Sequence, residues 1–260
     1  MFLTMTIPQP VGQDRSSREK REYDEGAVHE NSDRLHRRFS HVFACPNTMR
    51  AERFFAHHIA KAAPGARILD YGCYDGWLYP TLAPHRPSAI IGIDISDKGI
   101  TAARAKYGQH ATFLVMDAHQ LDFPDNHFDL VVGRAILHHL HFDTAIREIH
   151  RVLKPGGRCL VYEPILGNPM AELFRRLTPS ARTADERPLS PRQIQWANTI
   201  FAQAEFQYVN LMSTPLAMLT SLLCTSPDNL LLRGADAFDH VLDRTWLRHW
   251  MRQAVLCWHK

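Results

Sequence analysis

The sequence predicts an α/β fold built on a doubly wound parallel sheet. Three observations carry that prediction. Short apolar, β-type runs over 68–70, 89–94 and 112–117 each end in an acid: Asp70, Asp94 and Asp117. Between and after them lie stretches with helical spacing, of which Phe142, Ala145, Ile146, Ile149, Val152 and Leu153 form the clearest amphipathic stripe. The first run also leads directly into the turn Asp70-Tyr71-Gly72-Cys73-Tyr74-Asp75-Gly76, where glycine lets backbone approach a ligand closely because it has no Cβ to clash. Repeated strand–helix alternation gives parallel strands joined by right-handed crossovers.

Taken in order, residues 1–13 read as disordered, with Pro8, Pro10 and Gly12 and no periodicity. Residues 14–38 are densely charged with both signs and read as one or two exposed helices. His41 to Ala63 continues helically, with Phe54, Phe55 and Ile59 on one side, until Pro64-Gly65 breaks it. This region, 14–63, is expected to pack as a lid over the ligand. Arg67–Tyr71 is a short buried strand, and a helix starts over Trp77–Leu82. Ala89–Asp94 is an unbroken apolar run, as expected of a central parallel strand. Lys98–Tyr107 is helical, Thr112–Met116 is a third strand and Phe128–Gly133 a fourth. The amphipathic helix after it is expected to end at Pro155-Gly156-Gly157, and Arg158–Tyr162 forms a fifth strand that closes the core unit of 64–163.

Beyond Glu163 the alternation lapses. Residues 164–189, with a Gly-Asn-Pro turn, read as an excursion over the sheet edge. Ser190-Pro191 places an N-cap before proline at the first helical position, so a helix is expected to about Ala204. Gln207–Met212 is strand-like, a helical insertion rich in Leu and Met occupies about 214–248, and Gln253–His259 alternates apolar residues as a last strand. The Leu/Met segment over 215–233 admits three readings: an apolar pocket wall, a dimer face, or the core of a cap.

Composition narrows the function classes. At 260 residues with 45% hydrophobic content, the chain suits one large domain or one domain with a cap. A net charge of +3, with bases and acids intermixed, does not point to a nucleic-acid partner. Cys45, Cys73, Cys159, Cys224 and Cys257 are scattered without a CxxC pair, which argues for a reducing, cytoplasmic setting and against a disulfide or zinc framework. The N-terminus lacks the pattern of a signal peptide, and the longest apolar segment is too short to span a bilayer. A soluble monomer or homodimer acting on a small molecule is the expectation.

The turn at 70–76, together with Ile90-Ile91-Gly92-Ile93-Asp94, Val115-Met116-Asp117-Ala118 and Leu153-Lys154-Pro155-Gly156-Gly157, resembles the class I S-adenosylmethionine-dependent methyltransferases, closest to their small-molecule group. The resemblance covers about Ala66 to Glu163. It implies a Rossmann-like, seven-stranded sheet, mostly parallel with the last strand antiparallel, and S-adenosylmethionine as cofactor with S-adenosylhomocysteine as product. It further implies a cofactor site at Asp70, Tyr71, Gly72, Cys73, Asp94, Ile95, Met116, Asp117, Ala118 and Arg134. Asp70 would meet the ammonium, Gly72 and the amides around Cys73 the methionine part, Asp94 the ribose hydroxyls, Ile95 the adenine face and Asp117 the adenine amino group. Tyr23 would close over the methionine or be an ordinary packed aromatic.

This chain departs from the family at Tyr74, where glycine is usual and where a positive φ would be costly. Trp77 reads as core or pocket wall. Arg134, unusual so near a cation, either turns outward or binds an anionic substrate group. For chemistry, the residues at hand are His138, His139 and Glu163: a histidine near neutral pKa suits a base, and the second histidine of such a segment is often structural in the family. The spacing of His138, His139 and His141 does not put three imidazoles on one helix face, so no metal is expected. His57-His58 reads as solvent-facing. The function expected is methyl transfer to a small, apolar or anionic acceptor, at O, N or C, with secondary metabolism as one setting. A non-methylating relative, a pericyclase or regulatory binder, is the alternative. An NAD(P)-dependent oxidoreductase fits less well, since it needs neither Asp70 two residues before the first glycine nor Asp117.

Overall fold

Seven strands pair in the order β3-β2-β1-β4-β5-β7-β6 in the computed structural model, which describes residues 13–25, 34–179, 183 and 185–260. They are β1 (Arg67–Tyr71), β2 (Ala89–Asp94), β3 (Thr112–Val115), β4 (Phe128–Arg134), β5 (Leu153–Pro164), β6 (Gln203–Val209) and β7 (Gln253–His259). β7 runs antiparallel to both its neighbours, β5 and β6, while the other pairings are parallel. The predicted doubly wound sheet with an antiparallel last strand is therefore present. The order reverses between β1 and β4, and a crevice outside the carboxyl ends of the strands is expected at such a point.

Strand alternation sorts the core into two faces. Ile68, Leu130, Val132, Leu160 and Tyr162 meet Phe55 and Ile59 of the helix over 46–62 on one side. Leu69, Val131 and Val161 meet Ala145, Ile146 and Ile149 of the helix over 142–152 on the other. The helices are α1 (Gln13–Glu25), α2 (His41–Ala44), α3 (Pro46–Ala62), α4 (Tyr79–Leu82), α5 (Asp97–Tyr107), α6 (Phe142–Val152), α7 (Pro169–Leu177), α8 (Pro191–Ala197), α9 (Ser213–Leu223) and α10 (Leu230–Leu242), with a further helical turn at 34–38. Ala145, Ile146, Ile149 and Val152 are all fully buried, and burial of each Ile or Val contributes about 1.5–3 kcal/mol.

Several boundaries differ from the sequence reading, each for a local reason. The expected helix over 41–63 is two helices, because Cys45 precedes Pro46 and is forced to an extended backbone (φ −67°, ψ 157°). The helix expected over 77–82 begins only at Tyr79, and β3 stops at Val115 although the Met116 amide still reaches the Asp94 carbonyl at 2.9 Å. α6 ends at Val152, before Pro155-Gly156-Gly157. Those residues bulge within β5, whose register against β4 jumps from Phe128–Leu153 to Leu130–Arg158. Ser190 does cap α8, in a reciprocal box with Gln193, but that helix stops at Ala197. Pairing with β7 draws β6 back to Gln203 and ends it at Val209, where Asn210 takes φ 73°. The Leu/Met insertion is split into α9, α10 and a short turn at Trp246–Trp250.

His58 is buried, 4% exposed, contrary to its solvent-facing reading, whereas His57 is exposed. α1 is not wholly exposed either: Ser16 and Glu19 are buried on its inner face. The disorder expected over 1–13 lies outside the described residues, apart from Gln13. Among the described residues all five cysteines are free, and no helix is long and apolar enough to cross a membrane.

Candidate functional site

A cavity of about 580 Å³ sits outside the carboxyl ends of β1, β2, β3 and β4, and α1 forms part of its wall. Its floor is the turn after β1. Gly72 adopts φ 78°, and a Cβ there would stand 2.6 Å from Ile136 Cγ1, so only glycine fits. The Gly72 and Cys73 amides both donate to the Ile93 carbonyl at 2.9 Å. Those amides are spent within the fold, contrary to the expectation that they face a ligand. Gly72 lines the cavity, while Cys73 turns away into a cluster with Ile100, Ala103 and Phe113. Tyr71 is also turned inward, and its hydroxyl donates to the Ala118 carbonyl at 2.5 Å.

Tyr74 takes φ 43°, the left-handed conformation that side chains disfavour, at a cost of about 1–3 kcal/mol. The compensation is visible: its amide donates to Asp94 Oδ2 at 2.9 Å, and its ring covers Gly99. The Ser96 amide donates to Asp94 Oδ1 at 2.9 Å. Burial pushes the Asp94 carboxyl up, and these backbone donors oppose that. Asp94 and Ile95 both border the cavity.

Met116, Asp117 and Ala118 line its far side. Asp117 accepts from Ser16 Oγ at 2.8 Å, from the His119 amide at 2.8 Å and from His119 Nδ1 at 2.7 Å. Burial acts to raise the Asp117 carboxyl, yet these hydrogen bonds win and hold it at about 2. His119 Nε2 in turn accepts from the His141 amide at 2.9 Å, which makes Nδ1 the protonated nitrogen.

Asp70 lies beneath this cavity, fully buried and outside its lining, and neither carboxylate oxygen has a hydrogen-bond partner. Desolvation, assisted by the Asp94 charge, pushes its carboxyl to about 8. A buried, unpartnered carboxylate is costly, and a cationic group brought to this end of β1 would relieve it.

At the end of β4, Arg134 is engaged by a carboxylate of the protein itself. Its Nη1 donates to Glu52 Oε2 at 3.0 Å and its Nη2 to Glu52 Oε1, while the guanidinium lies 4.6 Å from the Tyr162 ring centroid and 5.5 Å from that of Trp77. It ties α3 to the sheet and makes a wall of the cavity. Beyond it, Glu163 is wholly buried: Oε1 accepts from the Ile136 and Leu137 amides at 2.8 and 2.9 Å, and Oε2 pairs with His138 Nδ1 at 2.7 Å. Desolvation, with help from neighbouring His139, lowers the His138 pKa against the pull of Glu163. His138 Nε2 stands 4.0 Å from Glu186 Oε1.

His139 is taken up on both nitrogens. Nε2 is 3.1 Å from the Tyr23 hydroxyl, and Nδ1 is 3.2 Å from Glu19 Oε2 and 3.3 Å from Thr183 Oγ1. Tyr23 thus sits over the cavity against His139 and Tyr74, and burial drives its phenol up. His138, His139 and Glu186 bring donor atoms within 4.8 Å of one another. The helix-face argument against convergence missed this, because the third member comes from a distant segment.

A second cavity of about 370 Å³ adjoins the first, sharing Tyr23, His36, Ala135 and His139. Phe39, Val42, Met170, Phe174 and Met218 give it an apolar body, and His138 and Glu186 a polar end. Sequence reasoning did not find Ser16, Glu19, Glu52, His119, Thr183 or Glu186. No local pattern marks them, since each acts across more than 40 residues or sits in an ordinary turn.

Residues 69–161 match the family model described as a methyltransferase domain. The chain is 32% identical over 137 residues to the ubiquinone/menaquinone biosynthesis C-methyltransferase of Shewanella frigidimarina, an alignment covering 48% of this chain and 53% of that protein. It is 34% identical over 125 residues to the sterol 24-C-methyltransferase of Yarrowia lipolytica, covering 46% of this chain and 32% of that one. The matched region therefore spans about half the length of the first relative and about a third of the second. Among solved structures, Haemonchus contortus phosphoethanolamine N-methyltransferase 2, in complex with phosphomonomethylethanolamine and S-adenosylhomocysteine, superposes with a TM-score of 0.62 at 18% identity, covering 95% of this chain and 60% of that one. At that identity the likeness shows the fold.

Proposed function

We propose that this chain, which carries a class I S-adenosylmethionine-dependent methyltransferase domain, transfers the cofactor's methyl group to a small organic acceptor held in the second cavity. The observation that carries this reading is the convergence of three strand ends on one cavity: Gly72 after β1, Asp94 on β2 and Asp117 after β3. The residues fit the cofactor. Asp94 retains acceptor capacity toward ribose hydroxyls beside its two backbone donors, and Asp70 lacks a partner that an ammonium would supply. Asp117 would meet the adenine edge while anchored by Ser16 and His119. Tyr23 and the inner face of α1 act as the lid that excludes water.

S-adenosylmethionine supplies an electrophilic methyl group, so the protein's tasks are positioning and, for acceptors that lose a proton, a base. His138 is suited to that task. Glu163 accepts from its Nδ1–H, which leaves Nε2 as the basic nitrogen facing Glu186 at the polar end of the second cavity. Its lowered pKa keeps the ring neutral and ready to accept a proton. Glu163 is a positioning residue for that ring, and His139 for Tyr23. The apolar body of the second cavity favours an acceptor with a hydrocarbon part, and the two curated relatives, both C-methyltransferases by name, favour carbon as the methylated atom. The free cysteines fit a reducing cytoplasmic setting.

Calorimetry tests the cofactor assignment. S-adenosylmethionine and S-adenosylhomocysteine should bind and NAD should not. Asp94→Ala, which removes a charge-assisted acceptor, should weaken binding about 100-fold. NAD binding without S-adenosylmethionine binding would sink the reading. Methyl-labelled S-adenosylmethionine incubated with amphiphilic extracts tests transfer itself: label should enter an organic product with the parent chain and not with Asp94→Ala. Cofactor binding without any labelled product would favour a non-methylating binder.

A further inference from the structure

Two helices beside the second cavity present apolar side chains to solvent. On α7, Met170, Leu173 and Leu177 are 46%, 50% and 71% exposed, and their i, i+3, i+7 spacing puts them on one stripe. On α9, Leu219, Leu222 and Leu223 are 49%, 58% and 72% exposed at i, i+3, i+4. The opposite faces are satisfied within the protein, for Ala171, Ala217 and Thr220 are all buried. Contiguous exposed apolar side chains, as opposed to single scattered ones, mark interaction sites.

Between these helices lies the segment 34–44. Phe39 packs on Phe174 of α7 with ring centroids 5.8 Å apart, and His41 Nδ1 is 3.0 Å from Thr220 Oγ1 of α9. Arg34, Arg37 and Arg38 on its helical turn are exposed, as is Arg176 on α7. Across 34–44, 164–179 and 211–224 the sequence carries these four arginines and Arg175, against one acid, Glu172, and Glu172 is already paired with Arg175. The face is thus leucine-rich and cationic together.

We propose that this face, formed by the turn at 34–38, α7 and α9, docks on an anionic lipid bilayer. Charge decides among occupants. A second copy meeting this face about a twofold axis would bring arginine against arginine, whereas an anionic headgroup layer complements the arginines and receives the leucines just beneath it. No helix among the described residues is long and apolar enough to cross the bilayer, so the chain would lie on it. Phe39 just after the turn, Met170 and Phe174 of α7 and Met218 of α9 also line the second cavity, so docking would set that cavity beside the lipid phase. The assignment stands on the surface alone and does not depend on methyl transfer.

The test is co-sedimentation of the full chain with vesicles of phosphatidylcholine, or of equimolar phosphatidylcholine and phosphatidylglycerol. Binding to the anionic vesicles should be at least about ten-fold tighter and should weaken with added salt. Leu222→Asp/Leu223→Asp and Arg34→Glu/Arg37→Glu should each lower it at least about ten-fold, with thermal unfolding and S-adenosylmethionine binding unchanged. Absence of binding to anionic vesicles, or equal binding by both variants, would overturn the proposal. So would a concentration-dependent dimer, seen by ultracentrifugation without lipid, that the leucine variant abolishes, since it would assign the face to a second copy.

Discussion

The β1 end and the β5 end of the sheet each bury a carboxylate completely, and the two are handled in opposite ways. Glu163 at the end of β5 is fully employed, accepting two backbone amides and holding His138. Asp70 on β1 has no hydrogen-bond partner on either oxygen. A buried carboxylate that organises a loop contributes to the fold. One left unpaired costs stability, and under the proposed function a cationic group of the ligand would offset that cost.

Changing the three strand-end carboxylates breaks or sharpens that contrast. The largest effect is expected for Asp70. Its folded-state pKa of about 8 lies above the ordinary 3.8, so below pH 3.8 both states are protonated and folding carries no penalty from this group. As pH rises toward 8 the unfolded chain releases a proton that the folded chain keeps, and stability falls until the loss levels off above about 8. Asp70→Asn should remove this slope and make the ligand-free protein more stable at high pH, by a gain of at most about 6 kcal/mol, while weakening cofactor binding. Thermal unfolding from pH 5 to 9 with and without S-adenosylmethionine reads both. Equal slopes for parent and variant would show that Asp70 is solvated after all.

Glu163→Leu should do the reverse and cost about 3 kcal/mol, because it strands the Ile136 and Leu137 amides and His138 Nδ1 in the interior. Urea unfolding measures it, and an unchanged midpoint would mean that the loop after β4 holds itself. The smallest effect belongs to Asp117, held at about 2 and therefore below its ordinary 3.8. Its contribution is present above pH 3.8 and lost as pH falls toward 2. With 37% of the side chain exposed, solvent screening reduces this to about 1 kcal/mol. Asp117→Asn should flatten that acid limb of the stability curve.

How far the sequence reveals the molecule follows the same division. The β1 end was legible because strand, turn and acids lie within short contiguous runs, where glycine and a terminal acid have few other uses. Even there, the turning of Tyr71 and Cys73 away from the cavity and the internal use of the Gly72 and Cys73 amides were hidden. These depend on how β2 lies against the turn. The β5 end was far less legible. Arg134 meets Glu52, His139 meets Glu19 and Thr183, and His138 faces Glu186, all pairs distant in sequence with no periodicity to announce them. The start of β6 was misplaced because its partner β7, not its own propensity, sets where pairing begins.

The fastenings of α1 bear on how quickly a ligand could come and go. Arg18 pairs with Asp185 at 2.8 Å and Lys20 with Asp97 at 2.6 Å, while Arg15 donates to the carbonyls of Leu140, His138 and Asp185. The two ion pairs are part-exposed, so salt weakens them far more than it weakens the apolar sheet beneath. Ionic strength then becomes a control on exchange: stopped-flow release of bound S-adenosylhomocysteine should quicken as salt is added while the urea midpoint of the sheet holds steady. On this view residence time is written into a handful of surface charges and can be tuned without touching a single atom of the binding floor.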